Sequence, residues 1–346
     1  ENSQKAVIKA EEEGKRKTPV CIWGFHGIGK TELVEAFAKR EGYAWSYIAP
    51  AQFEEMGDLL GMPQVQDGQT KFVAPEWVPK EETKGILLID DVNRADDRIL
   101  RGIMQLLQNY ELTSWSLPKG WQIVLTANPD GGDYSVTPMD DAMLTRMIHV
   151  TMRYDVNEWA KWAEKSGIDP RGINFVLTYP EIVQTGERTT PRSLVQFFQT
   201  IQTIENLEDK ISLLQILADS CLDKETAAAF IGFVRDKLGR LPSPLDIISA
   251  ENFQGEIQEP LFGMVNQKTL RIDLLSTLCT RLINYLLVND IKPNTKQQSN
   301  IKSFMLMEYI PNDLRLGMAQ DLMKGNSELK MIMANPELSM LLLENM

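Results

Sequence analysis

The chain has 346 residues, of which 43% are hydrophobic and 24% are charged, and this is typical of a folded globular protein with about two domains. Its 36 basic and 48 acidic residues give a formal net charge of -12, which argues against broad binding to nucleic acid. The sequence contains no apolar run of about 18 residues, so we expect no membrane insertion. Three scattered cysteines and the lack of a signal-peptide pattern predict a cytoplasmic protein.

The first part of the chain carries a phosphate-binding pattern. Residues 1–17 are polar and predict a linker or solvated helix, and residues 20–23 predict a short apolar strand. Residues 24–31 (GFHGIGKT) then fit G-x-x-x-x-G-K-[ST], the P-loop pattern, and a helix follows at residues 32–40. The glycines let the backbone turn tightly and direct its N–H groups at phosphate oxygens, beside the positive end of the helix. This spacing predicts nucleotide binding.

Two side chains of the P-loop have expected roles of their own. Lys30 would reach the β- and γ-phosphates, and the Thr31 hydroxyl would ligate Mg²⁺. A chance match is the alternative, with a frequency of roughly one per cent at average composition in a chain of this length. The predicted nucleotide-binding residues are Gly24, Phe25, His26, Gly27, Ile28, Gly29, Lys30, Thr31 and Glu32.

The rest of the first half alternates between strands and helices, which predicts a doubly wound parallel sheet. Five core strands are expected, at residues 20–23, 44–49, 85–90, 121–127 and 147–152. Helices are expected at residues 51–60 and 98–110. Residues 63–73 (PQVQDGQTKFV) interrupt the alternation with a hairpin around an Asp-Gly turn, so we interpret them as an insertion.

From about residue 157 the pattern becomes helical. Apolar residues lie three and four apart at residues 191–205, 209–221, 224–238 and 272–288. A Pro-Ser-Pro sequence at residues 242–244 is a candidate boundary. We predict four segments, which are an N-terminal linker at 1–17, an α/β nucleotide-binding domain at 18–153, a helical domain at 154–240 and a helical C-terminal extension at 241–346.

Polar residues at the ends of two buried strands supply the remaining chemistry. Asp90 would hold Mg²⁺ through water, and Asp91 could accept a proton from an attacking water. Asn128 ends the neighbouring strand and could hydrogen-bond that water or the γ-phosphate. An acidic pair after a strand is often only a helix cap, so each residue alone is weak evidence. Together with the P-loop, the three predict nucleotide hydrolysis at the carboxyl edge of the sheet.

Five sequence strings have the spacing of a known family. They are GFHGIGKT at 24–31, ILLIDDVNRA at 86–95, TANP at 126–129, DDAMLTRM at 140–147 and TTPRSL at 189–194. With these strings, the chain resembles the AAA+ ATPases, and more narrowly the MoxR branch of the dynein-related group. The resemblance implies a P-loop AAA+ domain with a doubly wound parallel sheet, followed by an all-α lid and a further helical C-terminal region. It also implies ATP and Mg²⁺ as cofactors.

The resemblance assigns roles to two arginines and two inserts. Arg146 lies where the family has its arginine finger, which acts on the ATP of the neighbouring subunit. Arg192 lies where the family has a second sensor, at the start of a lid helix. For each arginine, a solvated residue at a helix end is the alternative. Residues 63–73 match the hairpin that this branch inserts into its second helix, and residues 113–121 match its second insert.

The resemblance implies a ring-forming, chaperone-like remodeller or activator of a protein partner. Such proteins are homo-oligomers, usually hexameric, and often work with a von Willebrand factor A domain protein. One alternative is a nucleic-acid-acting NTPase motor related to restriction GTPases, against which the net charge of -12 speaks. The other is a slow-turnover, nucleotide-dependent scaffold. It is suggested by Asp91, which replaces the family's usual glutamate and, being one methylene shorter, would reach an in-line water less well.

Overall fold

The computed structural model describes residues 18–129, 136–180, 188–236, 241–266, 270–333 and 338. The chain divides into two compact units, Glu1–Arg153 and Tyr154–Met346, and each has a hydrophobic core of its own. The predicted linker at residues 1–17 lies outside the described residues. In the described part of the chain, every helix is too short or too polar to cross a membrane.

A parallel sheet forms the centre of the first unit. Its strands and helices, in chain order, are β1 (Val20–Trp23), α1 (Lys30–Glu41), β2 (Ala44–Ile48), α2 (Met56–Leu60), β3 (Met62–Gln66), β4 (Gln69–Val73), β5 (Gly85–Ile89), α3 (Asp97–Asn109), β6 (Glu111–Leu112), β7 (Trp115–Ser116), β8 (Trp121–Ala127), α4 (Asp141–Leu144) and β9 (Ile148–Thr151). Five of the described strands pair in the order β2-β5-β8-β1-β9, and all neighbours are parallel. The predicted α/β fold with a five-stranded parallel core is confirmed.

The carboxyl ends of β1, β5 and β8 lie at one edge of this sheet, because the three strands are parallel neighbours. Strands β5 and β8 are buried over their whole length, as expected where helices cover both faces of a sheet. The register pairs Trp23 of β1 with Ala127 of β8, and Ile89 of β5 with Leu125 of β8. The three loops that follow these strands, which carry the predicted site residues, therefore begin side by side.

The predicted helix at residues 51–60 is wrong over its first half. A short 3-10 helix covers Pro50–Gln52, and α2 begins only at Met56. Glu55 caps α2 and forms a capping box with Asp58, which defines the start of the helix. The local hydrogen bonds of these two carboxylates therefore outweigh the helical spacing of the apolar residues.

Strands β3 and β4 form the predicted hairpin. They are joined by Asp67 and Gly68, whose φ values of 53° and 73° suit a two-residue hairpin loop. The hairpin is bonded to the turn between β6 and β7, because the Phe72 N–H donates to Ser114 Oγ at 2.9 Å. The two predicted inserts, residues 63–73 and the segment around β7, are therefore in direct contact.

The second unit is helical in all of its described residues except an isolated β-bridge and the connecting loops. Its helices are α5 (Val156–Lys165), α6 (Pro170–Thr178), α7 (Pro191–Ile201), α8 (Ile211–Cys221), α9 (Lys224–Arg235), α10 (Pro244–Ser249), α11 (Glu259–Val265), α12 (Ile272–Val288), α13 (Thr295–Met305), α14 (Asn312–Leu322) and α15 (Ser327–Met333). Two 3-10 or π-helical turns, Glu208–Lys210 and Gln254–Gln258, lie between them. Buried side chains on both sides of residue 240 belong to one hydrophobic cluster. The division into a lid and a C-terminal extension at that residue stays a prediction.

Candidate nucleotide site

The P-loop joins β1 to α1 through a tight turn. Gly27 and Gly29 have φ values of 71° and 94°, in the left-handed region that favours glycine. A Cβ atom on Gly24 would lie 2.9 Å from Met152 O, so the loop passes too close to the chain after β9 for a side chain. Gly29 is the N-cap of α1 and has no capping side chain, so none competes there with an anion for the helix N-terminus.

Lys30 is the first residue of α1 and is only 6% exposed. Its Nζ donates to Gly24 O at 2.8 Å and to Phe25 O at 3.1 Å. It also donates to Asn128 Oδ1 at 3.0 Å, across the gap between the P-loop and the end of β8. Because an unpartnered buried charge is costly, these acceptors are what keep the ammonium group inside the loop.

Three hydroxyl groups contact the Asp90 carboxylate at the end of β5. Thr31 Oγ1 donates to Asp90 Oδ1 at 2.8 Å, and Thr126 Oγ1 donates to the same oxygen at 2.6 Å. The Tyr47 hydroxyl of β2 donates to Asp90 Oδ2 at 3.1 Å. Thr31 and Asp90, which are the two predicted Mg²⁺ ligands, are therefore in direct hydrogen-bond contact.

Asp91 directly follows Asp90 and has a φ of 46°, which is uncommon for a residue other than glycine. Its N–H donates to Thr126 Oγ1 at 2.8 Å. Its Oδ1 accepts from Asn128 Nδ2 at 3.0 Å, and its Oδ2 lies 3.3 Å from Arg94 Nε. Both carboxylate oxygens of the predicted proton acceptor thus have partners.

Asn128 is fully buried and connects the two halves of the site. Its side-chain oxygen faces the Lys30 ammonium group, and its side-chain nitrogen faces the Asp91 carboxylate. Asn93 holds the Asn128 backbone, because Asn93 Nδ2 donates to Asn128 O at 2.7 Å and the Asn128 N–H donates to Asn93 Oδ1 at 3.1 Å. The structure therefore brings the predicted residues of the P-loop, β5 and β8 into one hydrogen-bonded network.

The side chains of the other predicted P-loop residues are exposed or half-buried. Phe25 is 61% exposed, and Glu32 is exposed on the first turn of α1. His26 and Ile28 are half-buried within the loop. These four residues are predicted to contact nucleotide through their backbone N–H groups. The positive φ values of Gly27 and Gly29 are compatible with such a loop.

The two predicted arginines lie in segments of the chain that follow β8. Arg146 lies in the turn after α4, and its guanidinium donates to Gln108 Oε1 at 3.2 and 3.1 Å and to Ala142 O. Arg192 belongs to the second unit, where it is exposed in the first turn of α7 after Pro191. The catalytic roles of both arginines stay predictions.

Four residues in contact with the network received no role from the sequence patterns. Thr126 and Asn93 are buried polar residues inside the strings TANP and ILLIDDVNRA, and their polarity within apolar segments was a usable signal. Arg94 lies in the second of these strings and pairs with Asp91 three residues earlier, whereas Tyr47 reaches Asp90, 43 residues away, only through the fold.

The site has ligand chemistry that suits Mg²⁺. Across the described ranges, no group of three His, Cys, Asp or Glu side chains forms a self-contained metal site. Thr31 and Asp90 instead offer one hydroxyl and one carboxylate beside the P-loop. Because Mg²⁺ usually takes only one or two protein carboxylates and completes its shell with phosphate oxygens and water, these residues fit it.

Cys21 lies in β1, directly before the loop, and is fully buried. Burial raises the pKa of its thiol to about 12, and the nearby charge of Lys30 lowers it by less. The thiol is therefore neutral at ordinary pH and acts as a small apolar side chain beneath the site.

A family model places this unit among known proteins. The model described as AAA domain (dynein-related subfamily) matches residues 19–147. That range holds the P-loop, β5, β8 and Arg146, and hence the whole network described above. Residues 19–147 form an AAA domain. An AAA domain implies nucleotide binding and hydrolysis, and the narrower MoxR type stays a prediction.

The chain with this AAA domain is similar to midasin from Giardia intestinalis, with 24% identity over 139 residues. That match covers 38% of this chain and 3% of midasin, so the chain spans only a small part of that relative's length. Among solved structures, a point mutant of RuvB from Thermotoga maritima has 15% identity and a TM-score of 0.40, with 75% of this chain and 86% of that chain covered. A second point mutant of the same protein has 14% identity and a TM-score of 0.38, with 82% and 85% covered.

Proposed function

We propose that this chain is a MoxR-type ATPase that forms a ring and uses Mg²⁺-dependent ATP hydrolysis to remodel or activate a protein partner. The observation that carries the proposal is the Asn128 side chain, which bonds both the phosphate-binding Lys30 and the proton acceptor Asp91. One amide can serve both only with its oxygen toward the ammonium and its nitrogen toward the carboxylate, which is how it lies.

The P-loop and its neighbours divide the chemistry between them. The backbone N–H groups of the loop and Lys30 bind the phosphates, and Thr31 with Asp90 would hold Mg²⁺. When bound, Mg²⁺ neutralises negative charge on the phosphate oxygens. Asp91 takes the proton of the attacking water, and Asn128 orients that water or the γ-phosphate. These roles fall on residues that already contact one another in the network described above.

Arg146 is proposed to complete the site of a neighbouring subunit. Gln108 and the Ala142 carbonyl accept hydrogen bonds from its guanidinium at the end of α4, so the orientation of this side chain is restricted. Arg192 is proposed as the second sensor. A finger that acts in trans has no role in a monomer, so a ring, proposed to be a hexamer, follows from this assignment. A von Willebrand factor A domain protein is the proposed partner class.

Mixing two inactive variants tests the trans role. Lys30→Ala removes phosphate binding in its own subunit but keeps Arg146, whereas Arg146→Ala does the reverse. Each variant alone should lose ATP hydrolysis by about 100-fold or more, and a mixture of the two should regain part of it because adjacent subunits complement each other. Light scattering with and without Mg·ATP reports whether both still assemble.

The matched control is Arg40→Ala, which removes an exposed arginine that pairs with its neighbour Glu41. It should assemble and hydrolyse ATP like the wild type. A mixture that stays as inactive as its components, although both variants assemble, would contradict the trans role of Arg146.

A slow-turnover scaffold is the second candidate function, and the geometry of Asp91 favours it. Both oxygens of this short carboxylate are engaged, by Asn128 and by Arg94, rather than directed toward open space. Asp91→Glu adds one methylene and should raise the rate of hydrolysis if reach limits turnover. Steady-state ATPase assays measure this, and an unchanged or lower rate would remove side-chain length as the cause of slow turnover.

A further inference from the structure

A single threonine touches both aspartates of the site. Thr126 is the penultimate residue of β8 and has no exposed surface. Its hydroxyl donates to Asp90 Oδ1 at 2.6 Å and accepts from the Asp91 N–H at 2.8 Å. A hydroxyl can donate one hydrogen and can also accept hydrogen bonds. The Thr126 hydroxyl donates its hydrogen to the Asp90 side chain, and its oxygen accepts the backbone N–H of Asp91.

The backbone changes direction between these two aspartates. The Asp90 N–H still donates to Ile48 O at 2.8 Å, as a continuation of the sheet. Asp91 then turns into the left-handed region with φ 46°, which is unfavourable for a residue with a Cβ atom. The Thr126 hydroxyl accepts the N–H of Asp91 at this turn, so it stabilises the conformation that directs the Asp91 carboxylate toward Asn128.

We propose that Thr126 is a positioning residue that orients the metal-side carboxylate of Asp90 and the water-side carboxylate of Asp91 together. The inference rests on the proposed ATPase function and extends it to a residue that acts through the two aspartates it contacts. Losing the hydroxyl would remove one of the three hydroxyl contacts that orient the Asp90 carboxylate and would leave the Asp91 N–H without its acceptor. Both effects act on the geometry of the reaction rather than on phosphate binding by the P-loop.

Thr126→Val tests this, because valine keeps the shape and branching of threonine but has no hydroxyl. Outer contacts that orient metal-binding side chains typically contribute 10- to 100-fold, so kcat for ATP hydrolysis should fall by about that factor. Thr126→Ser keeps the hydroxyl and should stay within about threefold of the wild type. Thr126→Ala provides a second variant without the hydroxyl and should behave like Thr126→Val.

A binding measurement separates positioning from a general loss of structure. Calorimetric titration with ADP over a series of Mg²⁺ concentrations should show that Thr126→Val needs about tenfold more Mg²⁺ for the same gain in ADP affinity. Its ADP affinity in EDTA should equal that of the wild type, because the P-loop contacts are unchanged. Thr126→Ser should need the wild-type amount of Mg²⁺.

Thr178→Val is the matched control, because it removes another buried threonine hydroxyl, which donates to Asn174 O in the second unit. It should leave kcat and the Mg²⁺ dependence unchanged. Wild-type kcat and Mg²⁺ dependence in both Thr126→Val and Thr126→Ala would overturn the inference. A wild-type protein that binds Mg·ADP but hydrolyses no ATP would overturn the proposed function instead, and the Mg²⁺ titration would still decide the role of Thr126.

Discussion

Each unit of this chain contains a buried polar cluster, and the two clusters differ in how well their charges are matched. At the sheet edge, Lys30, Asn128 and Asp91 are joined by hydrogen bonds of 3.0 Å. In the second unit, Arg281 of α12 is 2% exposed and donates to Asn174 Oδ1 at 2.9 Å, but its carboxylate contact, Glu164 of α5, is 3.7 Å away. Within the described residues, Arg281 Nε has no hydrogen-bond partner.

The pKa values in the second cluster show the cost of this mismatch. Burial raises the pKa of the Glu164 carboxyl, and the charge of Arg281 offsets this only in part. Burial likewise lowers the pKa of the Arg281 guanidinium. In both groups the effect of burial on the pKa exceeds the opposing effect of the partner's charge. The buried charges of the sheet edge belong to the predicted site, whereas Arg281 and Glu164 join α5 to α12.

Arg281→Met should have the largest effect on stability. It leaves Glu164 buried beside an apolar side chain, so the free energy of unfolding should fall by about 3–5 kcal/mol at neutral pH. Urea unfolding measures this change. Nucleotide turnover per folded molecule should stay at the wild-type level, because Arg281 contacts Asn174 and Glu164 rather than a predicted site residue.

The double variant Arg281→Met/Glu164→Leu is the control for the unpaired charge. It should recover most of the loss, because a well-packed apolar pair often replaces a buried ion pair at no cost. A double variant that is less stable than Arg281→Met would show that the ion pair stabilises the unit on balance.

The Arg281→Met variant should also become more stable as the pH falls. In the wild type, burial already raises the pKa of the Glu164 carboxyl above its ordinary value of 4.5, and the substitution removes the Arg281 charge that lowers it. The folded variant should therefore bind the proton more tightly than the unfolded chain does. Stability is then fully present below that ordinary pKa and is lost as the pH rises through the folded-state pKa. Urea unfolding from about pH 4 to about pH 8 measures the trend, and a flat profile would contradict it.

Asn93→Ala should have an intermediate effect on stability. Unlike a substitution in the second cluster, it should also lower the rate of hydrolysis. It removes both hydrogen bonds that hold the Asn128 backbone, so stability should fall by about 1–3 kcal/mol. ATP hydrolysis should fall by about tenfold as well, because Asn128 loses its fixed position. Unfolding and steady-state kinetics measure the two losses.

Asn300→Ala is the matched control in the second unit. Asn300 is also buried, and its Nδ2 donates to the carbonyls of Ile248 and Ala250. Its loss should lower stability by a similar amount without changing the rate of hydrolysis per folded molecule. Equal effects of both substitutions on the rate would show that Asn93 acts through stability alone.

Val65→Asn in the β3–β4 hairpin should have the smallest effect. Val65 is 79% exposed, so the free energy of unfolding should change by no more than about 0.5 kcal/mol. Basal hydrolysis should also be unchanged, because a side chain this exposed makes little contact with the rest of the protein. A loss of more than about 1 kcal/mol in thermal unfolding would show that the hairpin packs against a surface in solution.

Local spacing was enough to select residues that the structure brings into hydrogen-bond contact, and their catalytic roles stay predictions. The P-loop pattern, the apolar runs of β1, β5 and β8, and the polar residues Asp90, Asp91 and Asn128 after them are each contained in a short stretch of sequence. The helix at residues 51–60 was overestimated because apolar spacing does not report where a carboxylate will cap the chain. The contact of Arg146 with Gln108 could not be predicted from local patterns either, since the two residues lie 38 positions apart.

By itself, the sequence determined the α/β order of elements and the identity of the P-loop, because both follow from the periodicity and glycine spacing of neighbouring residues. Only the tertiary structure decided that Asn128 bonds Lys30, 98 residues away, and that Thr126 bonds Asp90, 36 residues away. These contacts depend on which strands become neighbours in the sheet. Strand order is a property of the packed core, so a buried hydroxyl becomes a positioning group only after the sheet has formed.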